Sequence, residues 1–233
     1  MGDVVKGDGV KSEGVQGRSA KKSSPLWDAR KAETEQKIID AATRLFTTDG
    51  YAATSLAAVA DAAQVGSRTV YLRFGSKAEL LKRAIDVAIV GDTRPLDVTH
   101  RDWFAQATTA PTLHERIDAY TRGTAALMAR AAALIAVAAQ AEASEPLIAE
   151  AGAAGRAATQ QHIAGIWRAM HADGLLHPDV DLDWIIATTG PLGQAETYTL
   201  IIRTLGWDTD TYRSWLYDTW LHCASTPSHP IRP

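Results

Sequence analysis

Between Leu56 and Val90 apolar residues return every three or four positions, yet the stripe is cut twice. Leu56, Val59, Ala60 and Ala63 form one short face, Val70 and Phe74 a second, and Leu80, Leu81, Ala84, Ile85 and Ala88 a third. That period belongs to amphipathic helices, and helices this short do not persist alone in water. The segments must therefore pack on one another. The punctuation agrees with this. Thr54 and Ser55 offer N-cap hydroxyls, Gly75 relieves the backbone, and Ser76 stands at capping-box spacing from Glu79. Upstream, Ile38, Ile39, Ala42, Leu45 and Phe46 form a stripe on a helix that starts near Ala32 and ends at Asp49–Gly50. Four helices thus occupy residues 32–90, and the short middle pair joined by a tight turn has the layout of a helix-turn-helix.

The rest of the chain also reads as helical. Segments near His114–Ala139 and Pro146–Ala172 are rich in Ala and Leu with few breakers. A third runs from after "HPDVDLD" to about Leu205, with Pro191 expected to kink it near Ala187. A last helix spans about Thr209–Ala224. No alternating β-branched run suggests a sheet. The expected fold is all-α: a three-helix unit joined by a fourth helix to a larger helical domain. The divisions are 1–30, a disordered basic arm; 31–90, the helix-turn-helix unit; 91–225, the larger domain; and 226–233, a flexible tail.

Composition excludes several classes of function. The longest apolar run, around Ala125–Ala139, is interrupted by Arg130, so no membrane span is expected. The first residues lack a signal-type apolar core, and a lone cysteine, Cys223, cannot form an internal disulfide; a reducing cytoplasm is the expected setting. The net charge of −3 argues against a uniformly basic nucleic-acid binder, but every lysine falls at or before Lys82. The histidines are scattered, and Asp179, Asp181 and Asp183 near His177 read as helix caps rather than metal ligands. No phosphate loop, nucleophile elbow or HExxH pattern is present, so no catalytic residue, metal or cofactor is expected.

If Val70 and Phe74 face the core, Ser67, Arg68, Tyr71 and Arg73 are left toward the outside. Arginine and serine can bond base edges in a major groove. Tyr71 suits a phosphate, as does Lys77 at the positive end of the fourth helix, and Thr54 and Ser55 offer further hydroxyls. The stretch "AATRLFTTDGYAATSLAAVADAAQVGSRTVYLRFGSKAELL" closely resembles the N-terminal DNA-binding domain of the TetR family of transcriptional regulators. The matching elements are "RLF…GY", a following Thr, "VA..A.V", "TVY..F" and "SK..L". By that resemblance Thr54, Ser67, Arg68, Thr69, Tyr71, Arg73 and Lys77 fall where the family contacts DNA. One position departs: the family's turn carries Gly where this chain has Gln64. A left-handed residue there would cost about 1 kcal/mol, of which Gly66 could take up part.

The resemblance further implies a helical C-terminal region with a small-molecule pocket and a dimer interface. Trp103, Phe104, Met128, Trp167, Met170 and Trp184 supply apolar surface for a pocket, with Thr124, Gln161, Thr188 and Gln194 as sparse polar groups. The last two helices, through Tyr198, Ile202, Tyr212, Trp215, Leu216 and Trp220, are the expected dimer surface. The expected partners are a double-stranded DNA operator, a small hydrophobic or aromatic effector and a second copy of the chain, with no membrane. The function expected is a ligand-responsive regulator, a repressor that reads an inverted repeat. The alternative is a helical small-molecule-binding protein or enzyme whose first domain serves only association.

Overall fold

The computed structural model describes residues 25–91 and 98–227. Most of the expected basic arm, the 92–97 link and the tail beyond residue 227 lie outside the described residues. Among those described there is no strand: ten α-helices and two 3-10 turns account for the regular structure.

Helix α1 runs Pro25–Ala53, so residues 25–30 are helical rather than part of an arm. Pro25 suits a first helical position. Residues 29–33 are exposed, which is why no apolar stripe announced this turn. Gly50, with φ 84° and ψ 171°, breaks the helical geometry where Asp49–Gly50 was expected to end it. Helices α2 (Leu56–Ala62), α3 (Ser67–Phe74) and α4 (Lys77–Val90) follow. Ser55 and Ser76 cap α2 and α4, accepting from the backbone N–H of Ala58 and Glu79 at 3.1 Å each.

A 3-10 turn at Val98–His100 leads into α5 (Asp102–Thr109), a helix too short for its period to show in sequence. Helix α6 (Leu113–Ala141) opens on a capping box between Thr112 and Glu115. By length and hydropathy α6 could cross a bilayer, contrary to the sequence expectation, but half of its most apolar stretch is buried within the fold. It is the central helix, packed against α1, α4, α5, α7, α9 and α10.

Helix α7 covers Pro146–Ala172. The helix expected to be kinked at Pro191 is two helices instead, α8 (Leu182–Thr189) and α9 (Ala195–Leu205). Pro191 has no N–H to give the preceding turn, so the chain passes through a 3-10 turn at Gly190–Gly193 and an extended Gln194. Helix α10 (Thr209–Ser225) closes the fold.

Two cores result. The first joins Ile38, Ile39, Phe46, Val59, Val70, Leu80 and Leu81 to Leu134, Val137, Ala138 and Ala141 of α6. The second gathers α5 to α10, and at its centre Trp220 stacks between Tyr120 at 3.9 Å and Trp167 at 4.5 Å. The Trp167 indole N–H donates to Thr189 Oγ1 at 2.8 Å.

Candidate functional site

The turn between α2 and α3 is built on Gln64. Its N–H donates to Asp61 O at 3.1 Å, and that of Val65 donates to Ala60 O at 3.0 Å. This pair of bonds is a Schellman motif with Gln64 at the residue that must turn left-handed. Its φ is 56°, the only positive value among described non-glycine residues. Gly66 has φ −66° and takes up none of the change.

Helix α3 buries Val70 and packs Phe74 partly against the first core. Ser67, Arg68 and Thr69 are exposed, as expected, and Tyr71 is 64% exposed. Leu72, which sequence reasoning passed over, is the most exposed large apolar side chain described, at 71%. Five side chains of several chemistries therefore share one open surface.

Three expected contacts stand differently. Thr54 is 3% exposed, and its hydroxyl donates to Gly50 O at 2.8 Å, so it ties the end of α1 instead of facing outward. Lys77 Nζ donates to Tyr51 O at 2.7 Å and lies 4.2 Å above the Tyr51 ring, which turns its ammonium toward the C-terminal carbonyls of α1. Arg73 is turned inward and bonds Glu35 Oε2. Arg83 of α4 bonds the other carboxylate oxygen, Oε1, through Nε at 3.0 Å and Nη2 at 2.8 Å. Burial by itself would raise the Glu35 carboxyl, but the two arginines outweigh it and hold it below the usual carboxylate range.

Behind this unit lies a cavity of about 490 Å³, bordered by α4, the 3-10 turn before α5, the first turn of α5, α6, α7 and the start of α9. Its lining is mainly apolar. Of the expected ligand residues, Trp103, Thr124 and Met128 line it, with Gln194. The Trp103 indole lies directly over Gly123, where a Cβ would come within 2.1 Å of it; only glycine lets the ring seat on α6. Phe104 is set behind, edge-on to Trp103 at 5.6 Å and to His162 at 5.3 Å. Gln161 is exposed, Trp167 and Met170 are fully buried in the core, and Trp184 and Thr188 lie on α8 away from the lining.

Sequence reasoning missed the second face of α4. Lys82, Ile85, Asp86 and Ile89 line the cavity at helical spacing, while Leu80, Leu81, Ala84 and Val87 face the first core. That spacing was readable. Tyr120, Thr159 and His162 also line the cavity, and the Tyr120 hydroxyl is buried without a hydrogen-bond partner among the described residues. Arg156 lies in the same wall, held by Glu142 at 2.9 Å and Glu196 at 3.3 Å, which raises its already high pKa.

Residues 38–84 match the sequence model of bacterial regulatory proteins of the tetR family. Over that segment the chain is similar to the tetR family. No curated protein matches it in sequence. Solved structures with the same fold include NalD, the secondary repressor of the MexAB-OprM multidrug efflux pump in Pseudomonas aeruginosa. It superposes with a TM-score of 0.59 at 20% identity, over 82% of this chain and 96% of its own. FadR of Bacillus subtilis, a transcriptional regulator in complex with stearoyl-CoA, gives 0.62 at 15% identity, over 81% and 98%. FadR of Bacillus halodurans, a fatty acid degradation regulator, gives 0.60 at 15%, over 86% and 97%. At these identities the likeness is one of fold. The matched segment contains α2 and α3, so the helix-turn-helix is a DNA-binding unit of the tetR type.

The expected dimer residues divide sharply. Tyr212, Leu216 and Trp220 are fully buried within a single chain, because the aromatic stripe of α10 faces α6. They cannot form an interface between chains. Tyr198 is nearly buried too, edge-on to Tyr212 at 4.8 Å, while Ile202 and Trp215 are half-buried. Among the described residues of the larger domain, the large apolar side chains turned outward are Leu200, 65% exposed, and Leu205, 55% exposed, both on α9.

Proposed function

We propose that this regulator is a ligand-responsive repressor that binds an inverted-repeat operator as a homodimer and leaves it when an apolar effector fills the cavity. The observation carrying this reading is the double face of α4. The helix begins beside the reading helix, packs one side into the DNA-binding core and gives the other side to the cavity. An effector that fits better when α4 is displaced shifts the population away from the DNA-binding arrangement by its differential affinity for the two states.

Ser67, Arg68, Thr69 and Tyr71 offer base and phosphate contacts, and Leu72 can meet a thymine methyl. Ser55 remains at the exposed start of α2. Lys77 and Arg73 reach DNA only by leaving their present partners. The effector is apolar or aromatic, given the lining; the complex of Bacillus subtilis FadR with stearoyl-CoA supports a hydrophobic ligand. Dimerisation through α9, with Leu200 and Leu205 at its centre, would set two reading helices about one DNA turn apart, ~34–36 Å.

Selection from random duplex DNA tests this. The expected product is two half-sites related by a dyad; failure to enrich any sequence would refute the reading. Leu200→Arg with Leu205→Arg should yield monomers in analytical ultracentrifugation and weaken binding to the selected duplex. A dimer that survives both changes would place the interface elsewhere.

A further inference from the structure

We infer that Glu35 is a positioning residue linking the reading helix to the cavity wall. A single carboxylate holds Arg73 of α3 on one oxygen and Arg83 of α4 on the other. The inference rests on the DNA-binding, effector-responsive reading above and adds a route by which cavity and DNA sense each other.

The geometry leaves little slack. Glu35 and Arg73 are each 18% exposed and Arg83 is 32% exposed, so water competes weakly for these bonds. Hydrogen bonds between ionised partners are the strong ones, and Arg83 reaches Oε1 with two N–H groups. Helices α3 and α4 meet each other only sparingly, separated by Gly75 and Ser76, whereas both are fastened to α1 through this carboxylate. Arg83 also lines the cavity. A ligand that displaces α4 must therefore pull Arg83 from Glu35 or drag the carboxylate with it. Either event changes the hold on Arg73, which sits one helical turn beyond Val70 on the inner side of the reading helix. Arg73 released from Glu35 is a free cation at the edge of the DNA surface; Arg73 retained fixes the tilt of α3.

The test uses the full chain and the duplex recovered by selection, with binding followed across a salt series. Arg83→Met keeps the aliphatic stem and removes the charge. It should weaken duplex binding about tenfold although Arg83 lies in the cavity wall, and in a Glu35→Gln background the same change should cost less than about twofold. Glu35→Gln alone should steepen the salt slope by about one unit as the freed Arg73 reaches a phosphate. Arg83→Lys, which restores a cation, should recover most of the binding. A purely structural role would lower stability without altering the salt slope. Should the methionine variant lose its helical dichroism, Arg83→Gln carries the same comparison. Wild-type affinity in the folded Arg83 variant, a wild-type salt slope in Glu35→Gln, or an equal loss with and without Glu35 would overturn the link while leaving the proposed function standing. No duplex enriched by the wild-type chain overturns both.

Discussion

Replacing Gln64 with glycine should stabilise the protein, and the size of the gain follows from the turn. Gln64 is exposed and held at φ 56°, so its side chain adds strain and little packing. A non-glycine residue in the left-handed region costs about 1–2 kcal/mol. Glycine loses more backbone freedom on folding, which returns about 0.5–1 kcal/mol of that. The net expectation is a gain of about 0.5–1 kcal/mol. In urea, with m about 1–3 kcal/mol/M, the midpoint should rise by about 0.2–1 M at constant m. Thermal unfolding should shift upward by roughly 1–4 °C. Gln64→Ala is the control: alanine keeps a Cβ at the same φ and should show no such gain. Destabilisation by Gln64→Gly, or an equal gain from alanine, would refute the strain argument. A change in m would mean that the denatured ensemble, not the turn, had been altered.

Gly123→Ala should expel the Trp103 ring from α6, because the new Cβ would stand 2.1 Å from it; the expected loss is about 1–3 kcal/mol in urea unfolding, with altered tryptophan emission from the cavity wall. Thr189→Val removes the acceptor of the buried Trp167 indole N–H and should cost about 1–3 kcal/mol, whereas Thr189→Ser should cost much less. Glu35 carries a pH dependence of definite sign. Its folded pKa is lowered, so its contribution is full above the unfolded value and is lost as pH falls through the folded one. The stability difference between wild type and Glu35→Gln should therefore be largest near neutrality and shrink in acid below about pH 4, near the ordinary carboxylate value; a difference that grows in acid would contradict the assignment.

The helix-turn-helix was legible because its signals are local: apolar spacing, caps at Ser55 and Ser76, and a glycine-like turn at Gln64. Arg73 was misplaced by treating charge as outward. It stands three residues from Val70 and next to Phe74, so the same period puts it on the inner side, but its partner Glu35 lies far back in the sequence and no local pattern reveals it. Lys77 and Thr54 turn inward for the same kind of reason, each tied to the end of α1. In the larger domain, the spacing of Tyr212, Leu216 and Trp220 announced a buried stripe without saying what buries it, and the answer is α6 of the same chain. The cavity was only partly readable because its walls come from segments distant in sequence. Trp103 belongs there through its fit over Gly123, a contact that neither residue signals alone.

The contribution of α6 to the first core bears on how far the reading head can be exchanged. Leu134, Val137, Ala138 and Ala141 form the floor on which α1 and α4 rest. A fragment cut at residue 91 would leave that underside bare to water, and a chimaera grafting this head onto another helical body would need the matching seat transplanted with it.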